Sequence, residues 1–446
     1  MLSACIARPH FAQLRPHGGR VKLRAMSFSA KSAIRSPDIH FTEFVALMAV
    51  LIGLTALSID IMLPALAEMA SSYGVAAPNG RQLIITFYLA GFALGQPLCG
   101  PLSDRFGRKP VLIVGLLLYL LGSVLAMMAP SFTMLLIARA LQGFGAASPR
   151  ITSMAIVRDR FIGRHMARVM SFVMMVLIIV PIFAPTIGEG IVQLGHWSWI
   201  FGFMVLCATL ALGWAWLRLR ETRAPEDRIP LSVAALSRAF RTVVTTRRTC
   251  GYAIAMGFLF GGLMAYVGSA QQVFVDVYGL GTLFPAMFGG MASVLAVASF
   301  TNSRLVVRLG MRRVSHIALI GYVLVTCSLG LFGFPAQPPL PVLGLVIGGA
   351  LFFFGLIAPN FNALAMEPMG HVAGMAASAI GFYTSAAGAF FGWVVGQQFD
   401  GSVRPLTIGF ATMGLLALAT VLVTERGLLM KTAEGDAAAR PQKVEK

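Results

Sequence analysis

The chain has 446 residues, of which 57% are hydrophobic and only 12% are charged, and its mean hydropathy is +0.80. Soluble globular chains are roughly 45–50% apolar and about 25% charged, so this composition excludes an ordinary soluble protein and indicates many membrane spans. The five cysteines are scattered without metal or redox spacing, and the meaning of the net charge of +18 depends on where the basic residues lie.

Residues 1–42 form a basic tail with no acidic residue before Asp38. No apolar segment of a cleavable secretory peptide follows the basic residues until the first span itself begins. We therefore expect a disordered cytoplasmic tail and assign it no function.

Twelve apolar stretches follow the tail, each long enough for a helix across a hydrocarbon layer of about 30 Å. Their continuous hydrophobicity lacks the alternation of barrel strands, so the expected fold class is an all-α membrane protein. The stretches cover residues 43–66, 81–103, 110–129, 132–156, 168–192, 197–217, 249–274, 283–303, 313–334, 340–363, 371–397 and 405–425.

Asp60 lies well inside the first span, in Leu57-Ser-Ile-Asp-Ile-Met-Leu-Pro64. An aspartate near the centre of a membrane helix costs on the order of 2.5–3.5 kcal/mol and usually faces a cavity or a partner. Its protonation can change when water access or the partner changes, so we interpret Asp60 as the main proton-coupling candidate. The alternative is a static ion pair that holds the first and fourth spans together.

The loop between the second and third spans contains Gly100-Pro-Leu-Ser-Asp-Arg-Phe-Gly-Arg-Lys-Pro110. Gly107 can supply a turn with positive φ. An ion-pair cluster in this loop either latches one conformation as a cytoplasmic gate or only anchors positive charge. The expected gate residues in this loop are Gly100, Asp104, Arg105, Gly107, Arg108 and Lys109.

The fourth span carries Arg139 and Arg150, whose spacing of eleven residues returns them to nearly the same helix face. Arg139, together with Gln142, is placed to donate hydrogen bonds to Asp60 or to its proton-carrying water. For Arg150, a functional role and snorkelling toward the interface both remain open.

The fifth span contains Pro181, Pro185 and Gly188 within Val180-Pro-Ile-Phe-Ala-Pro-Thr-Ile-Gly-Glu-Gly190. Proline kinks a helix and small residues permit close backbone approach, so this span is expected to bend and to pack tightly. Glu189 is expected to face water at the end of the span, as are Asp276, Glu367 and Asp400 in the second half.

A long polar interruption at residues 220–248 divides the chain into two halves of similar length. A turn similar to that of the loop after the second span recurs in the second half, in Arg308-Leu-Gly-Met-Arg-Arg-Val314, which favours two parallel repeats over chance similarity. The predicted organisation is an N-terminal six-helix bundle at 43–219, a cytoplasmic linker at 220–248, a C-terminal six-helix bundle at 249–428 and a cytoplasmic tail at 429–446.

The basic residues have a sided distribution. Of the 35 Lys and Arg residues, all but Arg81, Arg139, Arg150 and Arg404 lie in the tails or in the loops that follow even-numbered spans. By the positive-inside rule, both termini and these loops are cytoplasmic. The net positive charge thus reflects membrane topology and does not indicate a nucleic-acid partner. We expect anionic lipid headgroups to lie next to these basic residues.

These motifs resemble the major facilitator superfamily. Gly100–Lys109 is similar to its signature between helices 2 and 3, and Arg139-Ala-Leu-Gln-Gly-Phe-Gly145 is similar to the helix 4 signature of proton-coupled members, in which the arginine is linked to proton transfer. Asp159 resembles the acidic residue that pairs with the loop arginine, here Arg108. The resemblance implies two pseudo-symmetric six-helix bundles.

More narrowly, three segments resemble the twelve-span drug:proton antiporters of the Bcr/CflA type. They are Ser58-Ile-Asp-Ile-Met-Leu-Pro-Ala-Leu66, Ala184-Pro-Thr-Ile-Gly188 and Ala373-Gly-Met-Ala-Ala-Ser-Ala-Ile-Gly381. Met62, where these relatives tend to carry Tyr, and Glu189, where a small residue is usual, depart from the pattern, which leaves the substrate open.

The resemblance implies a monomeric transporter in the bacterial inner membrane that exports small amphipathic drugs in exchange for protons by alternating access. We therefore expect no enzymatic activity and no cofactor or metal, since the resemblance implies a transporter that the proton gradient drives. Flexible methionine and aromatic walls suit varied ligands. Core packing is the alternative role for each expected cavity residue, which are Met62, Phe87, Tyr88, Tyr266, Gln271, Gln272, Asn360 and Asn362.

Three other functions remain open from the sequence. A proton-driven importer of a metabolite such as a nucleoside or an amino acid would use Asp60 in the opposite direction. A non-transporting membrane sensor is a further alternative. A membrane enzyme is disfavoured because the zinc, serine-hydrolase and phosphate-loop motifs are missing.

Overall fold

The structure, a computed structural model, describes residues 39–228 and 233–430. The expectations for most of the N-terminal tail and for the C-terminal tail from residue 431 onward lie outside these residues. Twelve long helices confirm the predicted spans. They are α1 Phe41–Asp60, α2 Leu83–Phe106, α3 Arg108–Met127, α4 Phe132–Arg160, α5 Gly163–Leu194, α6 Ser198–Arg218, α7 Arg247–Gln271, α8 Phe284–Leu309, α9 Met311–Cys327, α10 Leu340–Met366, α11 Ala373–Gly396 and α12 Arg404–Thr424.

Among the described residues, eleven helical segments are long and apolar enough to cross a membrane. The long helix missing from that set is α4, because its arginines lower its mean hydropathy. This helix packs along both α2 and α3, and its polar residues Arg139 and Gln142 are buried by protein, whereas Arg150 is exposed. Hydropathy alone therefore does not identify α4 as one of the membrane-spanning helices.

Glycines bring α2 and α4 into close contact. A Cβ atom on Gly143 of α4 would lie 2.8 Å from the carbonyl carbon of Tyr88, and one on Gly91 of α2 would lie 2.7 Å from that of Ala140. Small residues at such crossings let helix backbones approach where a larger side chain would hold them apart. The polar residues of α4 are consequently held close to α2.

The first span is interrupted directly after Asp60. Helix α1 ends there, a 3₁₀ turn follows at Leu63–Ala65, and a short helix, Leu66–Ser72, completes the span. Pro64 has no backbone N–H to donate and so favours a break at this point. The break places Asp60 at a helix terminus within the membrane.

The two halves contact each other through α2 with α11 and through α5 with α8. We call the end of the bundle at which α2 passes into α3 the basic end, and the other end the opposite end. Helix α7 begins at the basic end and continues at the opposite end into a π-helical turn, Gln272–Val277. The linker between the halves contains a further helix, Val233–Thr245.

Candidate functional site

Asp60 is buried without a partner. Its side chain is 5% exposed, and it makes no hydrogen bond or ion pair with any residue that the structure describes. Isolated carboxylates are costly to bury, so this group requires a proton, water or ligand when it is enclosed. The sequence analysis expected Asp60 to face a cavity or a partner, and no protein partner is present among the described residues.

Arg139 is fully buried and does not pair with Asp60. It donates from Nε to the carbonyl oxygen of Ile84 at 3.2 Å, from Nη2 to that of Ser58 at 3.1 Å, and from Nη1 to the side chain of Gln142. Its guanidinium also lies over the ring of Tyr88, 4.4 Å from the centroid. The static ion pair considered from the sequence is therefore absent in this conformation.

The hydrogen bonds around Arg139 join five helices of the N-terminal half. Gln142 donates to Ser123 Oγ at 2.8 Å and to Met204 Sδ at 3.3 Å, and Ser58 Oγ lies 2.6 Å from Tyr119 Oη. Since Ser58 is two residues before Asp60, this network orients the end of α1. Arg139 thus bonds the backbone two residues before Asp60 and does not contact its carboxyl group.

Tyr266 of α7 brings the C-terminal half to the same region. It is 3% exposed, its hydroxyl has no hydrogen-bond partner among the described residues, and it lies within electrostatic range of Asp60. A carboxyl group and a hydroxyl group from opposite halves, both without a partner among these residues, are therefore buried in the same region of the protein.

The eight expected cavity residues do not line one cavity. Met62 and Tyr88 are buried in the N-terminal half, and Asn360 bonds Asn302 of α8 at 2.7 Å. Phe87 is 37% exposed because it shares a helix face with other exposed apolar residues of α2. The remaining members of the set lie elsewhere: Asn362 is exposed on α10, and Gln271 and Gln272 join the two halves at the opposite end.

In α5, the helix continues through Pro181 and Pro185 from Gly163 to Leu194. The expected tight packing occurs at Gly188, where an added Cβ atom would overlap the carbonyl oxygen of Ile61, the residue after Asp60. Helix α5 is therefore in direct contact with the break in the first span.

Arg150 is exposed, in contrast to Arg139. Its guanidinium lies 5.6 Å from the ring centroid of Phe92, and it makes no hydrogen bond or ion pair with a described residue. The two arginines of α4 thus have different environments, although their spacing suggests one stripe.

At the basic end, Arg108 is the centre of the expected ion-pair cluster. Its Nε lies 2.8 Å from Asp159 Oδ2, its Nη1 lies 2.8 Å from Asp104 Oδ1, and Nη1 also donates to Ser103 Oγ at 2.7 Å. The Arg108–Asp159 contact is the pairing that the family resemblance implies. Gly107 adopts a φ of 101°, as expected for this turn.

The other two basic residues of the loop stand outside this cluster. Lys109 donates from Nζ to the carbonyl oxygen of Trp216 at 2.7 Å, and Arg105 lies over the ring of the adjacent Phe106. Both contacts are exposed, so these two residues are less constrained than Arg108.

The start of the linker also binds this cluster, which sequence reasoning missed. Glu221 accepts hydrogen bonds from the backbone N–H of Arg108 at 2.8 Å and of Lys109 at 3.1 Å, and so caps the first turn of α3. Arg223 Nη1 lies 2.9 Å from Asp104 Oδ1. A residue a hundred positions away in sequence gives no local signal of such a contact.

A cavity of about 200 Å³ lies beside the cluster, between the two halves. Its walls include Gly100, Asp104 and Arg108 from the loop motif, Asp159 from α4 and Ser378 from α11. The basic end thus contains space between the N-terminal and C-terminal halves.

The opposite end is closed by polar contacts between the halves, which sequence reasoning also missed. We call this group of five residues the seal: Arg81 and Gln82, which precede α2, Gln271, which ends α7, and Gln272 and Asp276, which lie in the π-helical turn after α7. Arg81 pairs with Asp276, and Gln82 donates to Gln272. Arg81 Nη1 also lies 3.4 Å from Gln271 Oε1.

Hydrogen bonds between seal residues or their neighbours and other parts of the chain reinforce this closure. Gln271 donates to the carbonyl oxygen of Pro64 at 2.7 Å and accepts from the N–H of Ala67 at 3.1 Å. Asn79 donates to the carbonyl oxygen of Gln397 at 2.9 Å. Asp276, expected from the sequence to face water, is 41% exposed and pairs across the halves instead of remaining free.

Comparisons with known proteins agree with this architecture. The family model described as Major Facilitator Superfamily matches residues 48–392. The chain is 32% identical over 388 residues to the Haemophilus influenzae protein named bicyclomycin resistance protein homolog, covering 85% of this chain and 94% of that protein. It is 26% identical over 345 residues to Escherichia coli multidrug resistance protein D, covering 75% and 84% respectively.

Among solved structures, a D-xylose-proton symporter superposes with a TM-score of 0.67 at 16% identity, covering 87% of this chain and 97% of that chain. At this identity the likeness concerns the fold alone.

Proposed function

The chain belongs to the major facilitator superfamily, and we propose that it is a proton-coupled antiporter that exports small amphipathic drugs. The observation that carries this proposal is Asp60, a buried carboxyl group with no partner among the described residues, within electrostatic range of the similarly unpaired hydroxyl group of Tyr266. The two groups belong to the halves that move relative to each other in alternating access.

The coupling follows from the cost of burying an unpaired charge. When the site is enclosed, Asp60 carries a proton or contacts a polar or cationic group of the substrate. Competition between proton and substrate for this carboxyl makes one leave as the other binds. Because a ligand with equal affinity for both conformations shifts nothing, this competition must be linked to the opening of one end.

The contacts at the two ends supply that link. We infer that the basic end faces the cytoplasm, because almost all Lys and Arg residues lie on that side. The seal then closes the outer side, and the cavity beside Arg108 lies at the inner side. Outward opening requires the seal to break, and the ion-pair cluster around Arg108 holds the inner side of the N-terminal half together.

The substrate class rests on the relatives, two of which are named for bicyclomycin or multidrug resistance. Met62, two residues after Asp60, and Tyr266 are buried, and methionine and aromatic side chains can repack around different ligands. We propose that the protein acts as a monomer in the bacterial inner membrane and that the proton gradient drives it without a cofactor.

The test is drug-driven proton release in inside-out vesicles. We expect Asp60→Asn, which cannot exchange a proton, to abolish gradient-driven drug transport while the protein still inserts. Glu189→Gln is the matched control, since Glu189 is a partly exposed carboxyl in α5 that accepts one hydrogen bond from Gln193 at 3.0 Å. Normal pumping by Asp60→Asn would show that the coupling residue is misassigned.

Direction is tested separately by growth inhibition. Cells that express the protein should tolerate a drug that inhibits cells without it. Increased sensitivity, or uptake of a nucleoside or amino acid driven by the proton gradient, would support import instead. Liposomes that move nothing under a pH gradient would end the transporter proposal.

A further inference from the structure

The linker helix Val233–Thr245 has an apolar edge that the described part of the chain leaves exposed. Val243 is buried and packs into the hydrophobic core, where the helix contacts α7 and α11. Phe240 and Val244, four residues apart on the neighbouring face, are 56% and 51% exposed. The protein therefore buries the Val243 side of the apolar face, whereas the side with Phe240 and Val244 remains exposed.

The charged residues lie on another face of the same helix. Arg238 and Arg241 are three residues apart, both are exposed, and neither side chain makes a hydrogen bond or ion pair with a described residue. At 100° per residue, these arginines are roughly 110° around the helix from Phe240 and Val244. This separation is typical of a helix that lies along a membrane surface.

The sequence around the helix carries only one sign of charge. Residues 228–248 contain five arginines and no aspartate or glutamate. Helix α7 follows the linker helix after Thr246 and belongs to a segment, Arg247–Val277, that is long and apolar enough to span a membrane. The linker helix is thus tethered within a few residues of the bilayer surface at the basic end.

We propose that the helix Val233–Thr245 lies in the membrane interface and binds anionic phospholipids. Phe240 and Val244 insert between the acyl chains near the headgroups, and Arg238 and Arg241 extend to the phosphate groups. The inference concerns a surface of the protein and holds whether or not the protein exports drugs. A soluble acidic protein is disfavoured as the occupant, because the open apolar edge adjoins the core of a membrane-spanning bundle.

The energetic preference for anionic lipid can be bounded. A basic residue near an anionic membrane surface contributes about 1 kcal/mol, which corresponds to about a fivefold enrichment. Two arginines that contact headgroups should therefore enrich anionic lipid by at least about fivefold over zwitterionic lipid. This ratio is the quantity to measure.

The experiment places a photocrosslinker on the open edge of the full-length protein in liposomes of equimolar phosphatidylcholine and phosphatidylglycerol. We expect Phe240→p-benzoylphenylalanine, and independently Val244→p-benzoylphenylalanine, to form lipid adducts on irradiation, with phosphatidylglycerol in at least about fivefold excess by mass spectrometry. The matched control is Thr245→p-benzoylphenylalanine on the polar face, which should give few lipid adducts.

A second variant tests the arginines. Adding Arg238→Gln and Arg241→Gln to the Phe240 crosslinking variant should keep the lipid adducts but bring the ratio of the two lipids close to one. Adducts only to protein at both positions 240 and 244 would overturn the membrane location. Lipid adducts with no preference for phosphatidylglycerol in the protein with both arginines intact would overturn the anionic specificity.

Discussion

The ion pair between Arg81 and Asp276 should control how often the opposite end opens. Arg81 is 7% exposed and its Nε has no hydrogen-bond partner, so Asp276 is its only counter-ion among the described residues. In Asp276→Asn, Arg81 stays buried when the end is closed but no longer has a negatively charged partner. When the end is open, water solvates Arg81, and the substitution costs much less.

The magnitude follows from the exposure of the two partners. Exposed ion pairs contribute about 0.2–1 kcal/mol, whereas breaking a buried pair costs about 3–5 kcal/mol. Since Asp276 is 41% exposed, we expect a loss between these limits. About 1–2 kcal/mol would raise the ratio of open to closed molecules by about 5–30-fold.

Hydrogen exchange measured by mass spectrometry is a suitable assay. Peptides that cover the start of α2 and the end of α7 should exchange about 5–30-fold faster in Asp276→Asn, with no comparable change at the basic end. Arg404→Gln is the matched control, because Arg404 lies at the same end but donates to the carbonyl oxygen of Phe334 within the C-terminal half. A double-mutant cycle with Arg81→Gln should be strongly non-additive.

Two results would refute this reasoning. The first is exchange at the opposite end that changes no more in Asp276→Asn than in Arg404→Gln. The second is additive effects of Arg81→Gln and Asp276→Asn, which would mean that the pair does not act as a unit.

Two further predictions concern packing and capping. Gly143→Ala should lower the midpoint of thermal unfolding by a few degrees, because the new methyl group meets the backbone of Tyr88 and overpacking costs about 1–3 kcal/mol. Gly290→Ala, whose new methyl group has nothing within 4 Å, should leave this midpoint unchanged. Equal effects of the two substitutions would contradict the packing argument. Glu221→Ala should lower the free energy of unfolding by about 1 kcal/mol and speed hydrogen exchange in the first turn of α3, whereas Glu226→Ala should do neither. Unchanged protection of that turn from exchange in Glu221→Ala would exclude the cap.

The features that follow from short stretches of sequence were predictable. Span positions depend on local hydropathy, and the turn at Gly107 depends on a residue that tolerates positive φ. Asp60 was identifiable for the same reason, since a carboxyl within an apolar stretch is costly wherever the helices pack.

The sequence by itself thus determined the number and class of the helices, the basic end and the residues that are expensive in a membrane. Only the tertiary structure decided which of them meet: Arg139 bonds the backbone near Asp60 instead of its carboxyl, Arg81 pairs with Asp276 across the halves, and Phe87 faces outward. Each outcome depends on the rotation of a helix about its axis and on packing between helices distant in sequence. Hydrophobicity along one span carries little information about either.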